Sequence, residues 1–376
     1  MRIAIDQNIS AARDIFLPHG DVVLIDGRQL RQKHLQGVDA LVIRSVTPVN
    51  AALLDGTEVG FVGTTTIGID HLDIPWLEQK GIRWASAPGC NADSAAQYTL
   101  AMMSLACDRL GRKLEQQGVG IIGRGNVGSR VESLLNALGA RTVANDPPRA
   151  DQGETGLVSL ERALAQDIVS LHVPLTHSGR YPTHHLLDQN RLESIKPGAL
   201  LLNSARGEVV DGEALKKCLF KENLHAALDV WPGEPNVDGA LLDATTVATP
   251  HVAGYSDDGK RNGAMMIYSA FCEWAGQTPR LASPVPGGHK EFEVRDDRNA
   301  VAETLEAACF VATHDRAMRR IPYLPTPQRV LEFDRLRREY PQRRDFKAWR
   351  VYCRQDEAKA VLRRLGFTVL DQQAQG

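Results

Sequence analysis

Short apolar runs, separated by polar stretches of helical length, repeat along the start of the chain. Three of these runs are Ile3–Ile5, Val22–Ile25 and Ala40–Ile43, and a fourth begins at Phe61. Runs that are apolar throughout are typical of strands that are buried on both faces of a parallel sheet. The pattern therefore predicts a small α/β lobe.

The next segment, from Ser94 to Leu110, has a helical pattern and contains no glycine or proline. We predict one long helix, which carries the chain into a second α/β unit between Val119 and about Val252. The chain is expected to cross back near Gly254. A helix over 259–276 should then pack on the first lobe.

A stretch rich in proline and glycine, 281–289, is typical of a linker, and the composition changes after it. Basic residues outnumber acidic ones between Arg329 and Arg350. We predict a third, smaller α+β domain after the linker. The predicted domains are a first lobe over 1–93 and 256–285, a central domain over 94–255 and a C-terminal domain over 286–376.

The composition narrows the class of partner. The chain has 376 residues, of which 43% are hydrophobic and 24% are charged, and its formal net charge is −2. A near-neutral balance argues against nucleic acid or an anionic membrane as the main partner. No apolar run approaches the roughly 18 residues that can span a bilayer.

The cysteines and the start of the chain bear on the cellular compartment. The six cysteines are scattered and form no CxxC pair. We interpret them as reduced thiols rather than as disulfides or zinc ligands. Residues 1–6 have a strand pattern, unlike a secretory signal. We therefore expect a cytoplasmic protein without a metal site.

A glycine-rich turn joins a predicted strand at 119–122 to a predicted helix at 129–138. Its glycines, Gly123, Gly125 and Gly128, have the G-x-G-x-x-G spacing. The first permits a tight turn, the second lets the backbone approach a pyrophosphate, and the third lets the helix pack close to the sheet. The helix N-terminus then offers free N–H groups to phosphates. The segment predicts a dinucleotide site.

The following predicted strand, 141–144, leads to Asp146, which lies 18 residues after Gly128. A carboxylate at this place can accept hydrogen bonds from the ribose hydroxyls of the adenosine half. It would also repel a 2′-phosphate, which favours NAD over NADP. The alternative is a glycine-rich turn followed by a solvated aspartate.

Three polar residues follow other predicted strands, at the strand ends where α/β sheets bind ligands. Arg206 comes soon after the apolar stretch 200–202, and its planar guanidinium suits a carboxylate. Glu234 and His251 follow two further strands, and a carboxylate beside an imidazole makes a plausible acid–base pair. Taken alone, Arg206 could equally be a surface ion-pair residue.

Together and in this order, these features resemble the D-isomer-specific 2-hydroxyacid dehydrogenase family. The resemblance rests on NSARG at 203–207, DVWPGEP at 229–235 and TPH at 249–251, beside the glycine-rich turn, and covers about residues 1–280. It implies a Rossmann-type NAD-binding domain and a flavodoxin-like substrate-binding lobe.

The resemblance also implies an enzyme that moves a hydride from C2 of a small D-2-hydroxy acid to NAD. Arg206 would bind the substrate carboxylate and the C2 oxygen, His251 would accept the hydroxyl proton, and Glu234 would support His251. The positions that would contact NAD are Gly123, Gly125, Asn126, Val127, Gly128, Asp146, Val173, Ser204, Ala205, Arg206, Asp229 and Gly254.

A narrower resemblance, to a branch of the family that acts on a phosphorylated hydroxy acid, extends over nearly the whole chain. It rests on segments 42–50, 87–92, 146–151, 231–235, 252–256 and 333–344. It implies a homodimer with the C-terminal domain in its interface. It also implies substrate contacts by Ser45, Thr66 and Tyr255, whose hydroxyls can bind phosphate or carboxylate oxygens. The alternative is two turn-forming hydroxyls and a packed ring.

The arginines of the C-terminal domain leave two interpretations open. Most are expected on solvated helix faces. Because the first lobe has few obvious cations besides Arg44, one or more of Arg337, Arg338, Arg343 and Arg344 is a candidate ligand of the substrate phosphate.

Competing functions remain open from the sequence. One is another dehydrogenase of the family, such as one for 3-phosphoglycerate, in which the third domain binds a regulatory amino acid. Another is a non-catalytic NAD sensor that acts as a corepressor; the presence of Arg206, Glu234 and His251 argues against it. A nucleic-acid-binding protein is disfavoured by the net charge near zero.

Overall fold

The structure, a computed structural model, describes residues 1–9, 12–279 and 288–371. The chain divides into two compact units, Met1–Asn91 with Ser256–Gly288 and Ala92–Tyr255 with His289–Gly376. The predicted linker at 281–289 lies, apart from its last two residues, outside the described residues. The C-terminal residues group with the central ones in one compact unit. The division of the chain into three domains stays a prediction.

Strands and helices alternate along the described residues. The strands are β1 (Arg2–Asp6), β2 (Asp21–Ile25), β3 (Ala40–Ile43), β4 (Phe61–Thr64), β5 (Arg83–Ala85), β6 (Gly118–Ile122), β7 (Arg141–Asn145), β8 (Ile168–Leu171), β9 (Ala199–Asn203), β10 (Leu224–Leu228), β11 (Val247–Ala248), β12 (Lys290–Glu293), β13 (Trp349–Cys353) and β14 (Thr368–Asp371). The helices are α1 (Ala12–Phe16), α2 (Ala51–Leu54), α3 (Ile74–Gln79), α4 (Ala92–Arg109), α5 (Asn126–Leu138), α6 (Pro147–Asp151), α7 (Leu160–Leu164), α8 (Gln189–Ser194), α9 (Gly212–Phe220), α10 (Gly239–Ala244), α11 (Asp257–Trp274), α12 (Ala300–Cys309), α13 (Val311–Met318), α14 (Thr326–Arg338) and α15 (Asp356–Arg364).

The strands described in the first unit form one parallel sheet with the order β2-β1-β3-β4-β5. Residues along β1 and β3 alternate between two apolar cores, so that Ile3 and Val42 enter one core while Ala4 and Leu41 enter the other. Both faces are therefore covered, which explains why these strands are apolar throughout. This strand order is the flavodoxin-like one, as predicted.

Helix α11 completes one of these cores with Ile267 and Phe271. It lies so close to the sheet that a Cβ on Gly63 would be 2.2 Å from Cγ2 of Ile267. Any larger residue at position 63 would push helix α11 away from β4. The prediction that a helix near 259–276 packs on the first lobe is confirmed.

The centre of the second unit is a six-stranded parallel sheet with the order β11-β10-β9-β8-β6-β7. It is a Rossmann-type sheet, and its strand order reverses at β6, which lies between β7 and β8. Open parallel sheets bind ligands outside the carboxyl ends of the strands at such a reversal. Because the strands are parallel, the turns after β6, β8, β9, β10 and β11 all lie at this edge.

The C-terminal residues add a parallel sheet with the order β12-β13-β14. Phe346 and Leu362 from this region share an apolar core with Leu100 of α4 and Leu135 of α5. Helix α4 confirms the predicted long helix to within two residues at each end. Of the helices in the described ranges, none combines the length and the apolar character needed to cross a lipid bilayer.

Candidate active site

The glycine-rich turn between β6 and α5 depends on two of its glycines for its shape. Gly123 has a φ of +91°, in the left-handed region that glycine adopts without strain. A Cβ on Gly128 would lie 1.9 Å from the carbonyl oxygen of Gly123. Helix α5 can therefore start this close to the turn only if residue 128 is glycine.

The first turn of α5 is open to a ligand. Its N-cap residue, Gly125, makes no side-chain cap, and a Cβ built there would meet no atom within 4 Å. By contrast, aspartate or serine side chains cap α6, α7, α8, α9 and α10. The N–H groups of Asn126, Val127 and Gly128 are left for an anion by the geometry of a helix start. The turn fits the pyrophosphate of a dinucleotide.

Asp146 follows β7 and is half-buried. Its Oδ2 accepts a hydrogen bond from the backbone N–H of Arg124 at 2.8 Å, and its Oδ1 caps α6 through the N–H of Arg149 at 3.2 Å. A carboxylate has lone pairs beyond those two bonds, so ribose hydroxyls can still donate to it. Its contact with the ribose stays a prediction.

Both arginine side chains beside Asp146 are paired with carboxylates. Arg124 lies 2.6 Å from Glu132 and 2.6 Å from Glu154, and Arg149 lies 3.0 Å from Glu154. Hydrogen bonds from Arg124 and then Arg149 lower the pKa of the Glu154 carboxyl. Because these cations already have partners, they offer little to a 2′-phosphate, which agrees with NAD rather than NADP.

After β8 the chain runs through His172 and Val173 along the glycine-rich turn. A Cβ on Gly123 would lie 2.8 Å from Cγ1 of Val173, so this valine borders the turn. Burial lowers the pKa of His172 to about 3, and its Nε2 is 2.8 Å from Oγ of Ser170. His172 is therefore a neutral packing residue, whereas the NAD contact of Val173 stays a prediction.

The turn after β9 is shaped by Asn203. Its Oδ1 accepts from the N–H of Ala205 at 3.0 Å, and its Nδ2 donates to the carbonyl of Arg206 at 2.8 Å. Ser204 Oγ lies 2.9 Å from Oγ1 of Thr99. The Arg206 side chain is exposed, donates only to the Ala205 carbonyl at 2.7 Å, and has no carboxylate partner in the described ranges. Its guanidinium is thus available to a substrate carboxylate.

Two close contacts join this turn to those after β10 and β11. A Cβ on Gly207 would lie 2.2 Å from the carbonyl carbon of Trp231. The buried indole of Trp231 donates in turn to the carbonyl of Thr249 at 2.9 Å. The turns that carry Arg206 and His251 therefore belong to one packed assembly.

Glu234 and His251 form a hydrogen-bonded pair in which Oε1 contacts Nδ1. The other oxygen, Oε2, accepts from the backbone N–H of Trp231 at 3.1 Å, which fixes the carboxylate. Nε2 of His251 has no hydrogen-bond partner within the part of the chain that the structure describes. With Nδ1 held by the carboxylate, Nε2 is the nitrogen that can take a proton from a substrate.

Asp229, which is only 1% exposed, organises the chain after β11. Its Oδ1 accepts from Thr249 Oγ1 at 2.6 Å and from the N–H of Val252 at 3.0 Å, while Oδ2 accepts from the N–H of Ala253 at 2.9 Å. The backbone N–H of His251 donates to the Asp229 carbonyl at 2.7 Å. The sequence predicted only an NAD contact for Asp229, and that contact stays a prediction. It did not predict that Asp229 anchors the chain after β11.

Tyr255 is more than a packed ring. Its hydroxyl accepts a hydrogen bond from Nη2 of Arg337 at 3.2 Å, and its ring packs edge-on against Tyr340 at 5.7 Å. Nε of Arg337 is buried and has no partner among the described residues. The substrate contact of Tyr255 and the NAD contact of Gly254 stay predictions.

Ser45 and Thr66 belong to the first unit and follow β3 and β4. Ser45 is exposed, whereas Oγ1 of Thr66 lies 2.8 Å from Oγ1 of Thr64. Arg44, the cation next to Ser45, is paired at 3.1 Å with the buried carboxylate of Asp6. The substrate contacts of Ser45 and Thr66 stay predictions.

The four candidate arginines of the C-terminal region have different surroundings. Arg343 is 2% exposed and donates to backbone carbonyls, and Arg344 is 8% exposed. Arg338 is exposed, and Arg337 is half-buried beside Tyr255. Among these four arginines, Arg337 is the one that contacts the hydroxyl of Tyr255. The sequence could not separate them, because they lie in one basic stretch.

Residues 94–253 match the family model described as "D-isomer specific 2-hydroxyacid dehydrogenase, NAD binding domain". This agrees with the open dinucleotide turn and with the position of the His–Glu pair at the ligand-binding edge of the sheet. The chain belongs to the D-isomer specific 2-hydroxyacid dehydrogenase family of oxidoreductases, and its cofactor is NAD.

Within that family, erythronate-4-phosphate dehydrogenases match this chain over nearly its full length, in agreement with the narrower resemblance seen in the sequence. The enzyme of Hahella chejuensis is 40% identical over 379 residues, which cover 98% of this chain and 99% of the relative. The enzyme of Escherichia coli O81 is 39% identical over 378 residues, with the same coverage.

Solved structures share the fold over about three quarters of the chain. The TT0316 protein from Thermus thermophilus is 28% identical, has a TM-score of 0.63, and the match covers 74% of this chain and 98% of that one. D-Lactate dehydrogenase from Aquifex aeolicus, solved with NAD and lactic acid, is 23% identical with a TM-score of 0.59, and the match covers 73% and 96%.

Proposed function

We propose that this chain oxidises 4-phospho-D-erythronate to (R)-3-hydroxy-2-oxo-4-phosphooxybutanoate with NAD, as a step in pyridoxal 5′-phosphate synthesis. The observation that carries the chemistry is the Glu234–His251 pair, packed in one assembly with the turn of Arg206, whose guanidinium has no carboxylate partner among the described residues. The relatives' 40% identity over 98% of the chain supports this substrate.

In this mechanism, Arg206 binds the substrate carboxylate and the C2 oxygen through its planar fork of N–H groups. Nε2 of His251 accepts the proton of the C2 hydroxyl, and Glu234 stabilises the charged imidazole through Nδ1. The glycine-rich turn and Asp146 would hold NAD, which would supply the acceptor for the hydride from C2. The alcohol thus loses one proton and one hydride and becomes a ketone.

We further propose that Arg337 binds the substrate phosphate. Arg44 is paired with buried Asp6, and the donors of Arg343 are occupied by backbone carbonyls and by Sγ of Cys309. Arg337 keeps a buried Nε without a partner in the described ranges and touches the hydroxyl of Tyr255, four residues after His251. A half-buried guanidinium is a strong ligand for a phosphate group.

The protein is proposed to be a homodimer in the cytoplasm. Tyr323 is 82% exposed and Leu331 is 68% exposed, both in the C-terminal region, and an interface would cover these large apolar side chains. All six cysteines are free, which is typical of a reducing compartment. Sedimentation of the wild type and of a Tyr323→Ser/Leu331→Ser double variant tests the dimer: the wild type should sediment as a dimer and the variant as a monomer.

The reaction is tested by following NADH formation with purified protein. Where bound NADH limits turnover, a 2-oxo acid is added to reoxidise it, and formation of the oxidised product is followed instead. The substrates compared are 4-phospho-D-erythronate and 3-phospho-D-glycerate, beside a His251→Ala variant and a control at the exposed His185. A strong preference for the four-carbon substrate, lost only in the His251 variant, is expected. A preference for 3-phospho-D-glycerate would keep the enzyme family but overturn the proposed substrate. Tight NAD binding without turnover of either substrate would favour a sensor.

A further inference from the structure

Arg343 is a buried cation whose donors all point at the protein itself. Nε donates to the carbonyl of Tyr255 at 2.7 Å, and Nη2 donates to the carbonyls of Ala253 at 2.6 Å and Ser94 at 3.1 Å. Its guanidinium lies 5.0 Å from the ring centre of Tyr98. A buried charge with such partners is held in one orientation, because leaving it unpaired would be costly.

Two of these carbonyls belong to residues 251–255, which we call the His251 segment. The N–H groups of Val252 and Ala253 in the same segment donate to the carboxylate of Asp229. The His251 segment is therefore held on its N–H side by a buried anion and on its carbonyl side by the buried guanidinium of Arg343.

The His251 segment needs such anchors because its backbone is strained. His251 has a φ of +56°, in the left-handed region that residues other than glycine rarely occupy. A conformation of this kind persists only where the surrounding contacts determine it. The catalytic position of the imidazole thus depends on groups that hold the backbone on both sides of it.

We infer that Arg343 is a positioning residue for the reaction: it fixes the His251 segment, so that the C-terminal region forms part of the catalytic apparatus. The inference rests on the proposed function for its catalytic consequence. An arginine suits the role because its rigid fork reaches several carbonyl groups at once, whereas the compact ammonium of lysine cannot reproduce that geometry.

The test compares Arg343→Lys with a matched control, Arg319→Lys. Arg319 also lies in the C-terminal region and donates to two backbone carbonyls, those of Leu242 at 2.6 Å and Thr245 at 2.8 Å, but it is not bonded to the His251 segment. Both substitutions keep the charge. A fall in kcat that came only from weakened folding of the C-terminal region would therefore appear in both variants.

Turnover is expressed per NADH-binding site, so that unfolded protein is not counted. In Arg343→Lys we expect kcat to fall on the order of 10- to 100-fold, since small misplacements of catalytic groups have effects of this size. The KM for NAD should stay within about twofold of the wild-type value, because the side chain of Arg343 does not touch the glycine-rich turn. Arg319→Lys should keep the wild-type kcat. Equal kcat values for Arg343→Lys and the wild type would overturn the inference.

Amide hydrogen exchange of the peptide that covers the His251 segment gives a readout independent of turnover. Exchange should quicken in Arg343→Lys and stay unchanged in Arg319→Lys. If the wild type does not oxidise the proposed substrate, the proposed function fails, and the exchange rate then decides the inference about Arg343. Unchanged exchange in Arg343→Lys overturns that inference.

If Arg343→Lys does not fold, Arg343→Ala purified in the presence of guanidinium takes its place. Turnover that rises with millimolar guanidinium, but not with sodium chloride, supports the inference, and turnover that does not rise overturns it.

Discussion

Replacing Glu234 with glutamine removes the charge beside His251 while keeping the shape of the side chain. Oε1 contacts Nδ1 of the imidazole, and Oε2 accepts from the N–H of Trp231 at 3.1 Å. The amide of glutamine has a single oxygen, so it cannot accept from both groups. One N–H donor would then face another donor inside the turn.

The expected loss follows from the hydrogen bond to a charged group, which contributes about 1.5–3 kcal/mol. The bond strengthens as His251 takes the proton from the substrate, so the loss falls on the transition state. That energy corresponds to a fall in kcat of about 10- to 150-fold. Substrate affinity should change little, because Arg206 rather than Glu234 is proposed to bind the carboxylate.

The assay is NADH formation from 4-phospho-D-erythronate at saturating substrate near neutral pH. Glu208→Gln is the matched control, since Oε1 of Glu208 accepts from the N–H of Gly233 at 3.4 Å in the same turn but does not contact the imidazole. A Glu234→Gln enzyme within about twofold of the wild type would refute the reasoning. So would an equal loss in the control, which would point to a disturbed turn.

Four further outcomes are expected. Gly128→Ala should destabilise the protein by about 1–3 kcal/mol and abolish NAD binding, because its Cβ would overlap a backbone oxygen; thermal unfolding and NADH titration check this. Asp146→Ser keeps a capping hydroxyl for α6 but loses the charge, so the KM for NAD should rise about tenfold while NADP turnover improves. Burial lowers the pKa of His314 to about 4, below its unfolded value of about 6.5, so the stability that its neutral form contributes is lost as pH falls from about 6.5 to 4. Between neutral pH and pH 4.5, the free energy of unfolding, measured by denaturant titration, should therefore fall by about 2 kcal/mol less in His314→Gln than in the wild type. Arg337→Met should raise the KM for 4-phospho-D-erythronate about tenfold and leave turnover of unphosphorylated D-erythronate unchanged; equal effects on both substrates would contradict a phosphate contact.

Local sequence patterns were sufficient to predict most strands of the two larger sheets and the dinucleotide turn, but not β5, β8 or the individual strands of the C-terminal sheet. A strand buried on both faces must be apolar throughout, and a turn as tight as the one at Gly123 needs glycine, so each feature leaves its mark within a few residues. Helix ends were less certain: α4 was predicted to begin at Ser94 but begins at Ala92.

The roles of Asp229 and Arg343 could not be predicted in this way. Asp229 bonds to groups 20–24 residues further along the chain, and Arg343 bonds to carbonyls about 90 residues before it. Arg343 also lies in a stretch where Arg338 is exposed, and only packing distinguishes the two. Contacts set by the fold have no local signature, so they appear only in the three-dimensional structure.

The first unit is assembled from two stretches of chain that are far apart, which affects how it is made on the ribosome. Phe61 is synthesised early, but Ile267 and Phe271, which close the core over it, come more than 200 residues later. At roughly 5–20 residues per second, the nascent sheet waits on the order of 10–40 s with one apolar face uncovered. An apolar face that stays uncovered for that long is prone to aggregate, so we expect the emerging chain to need a chaperone during this interval.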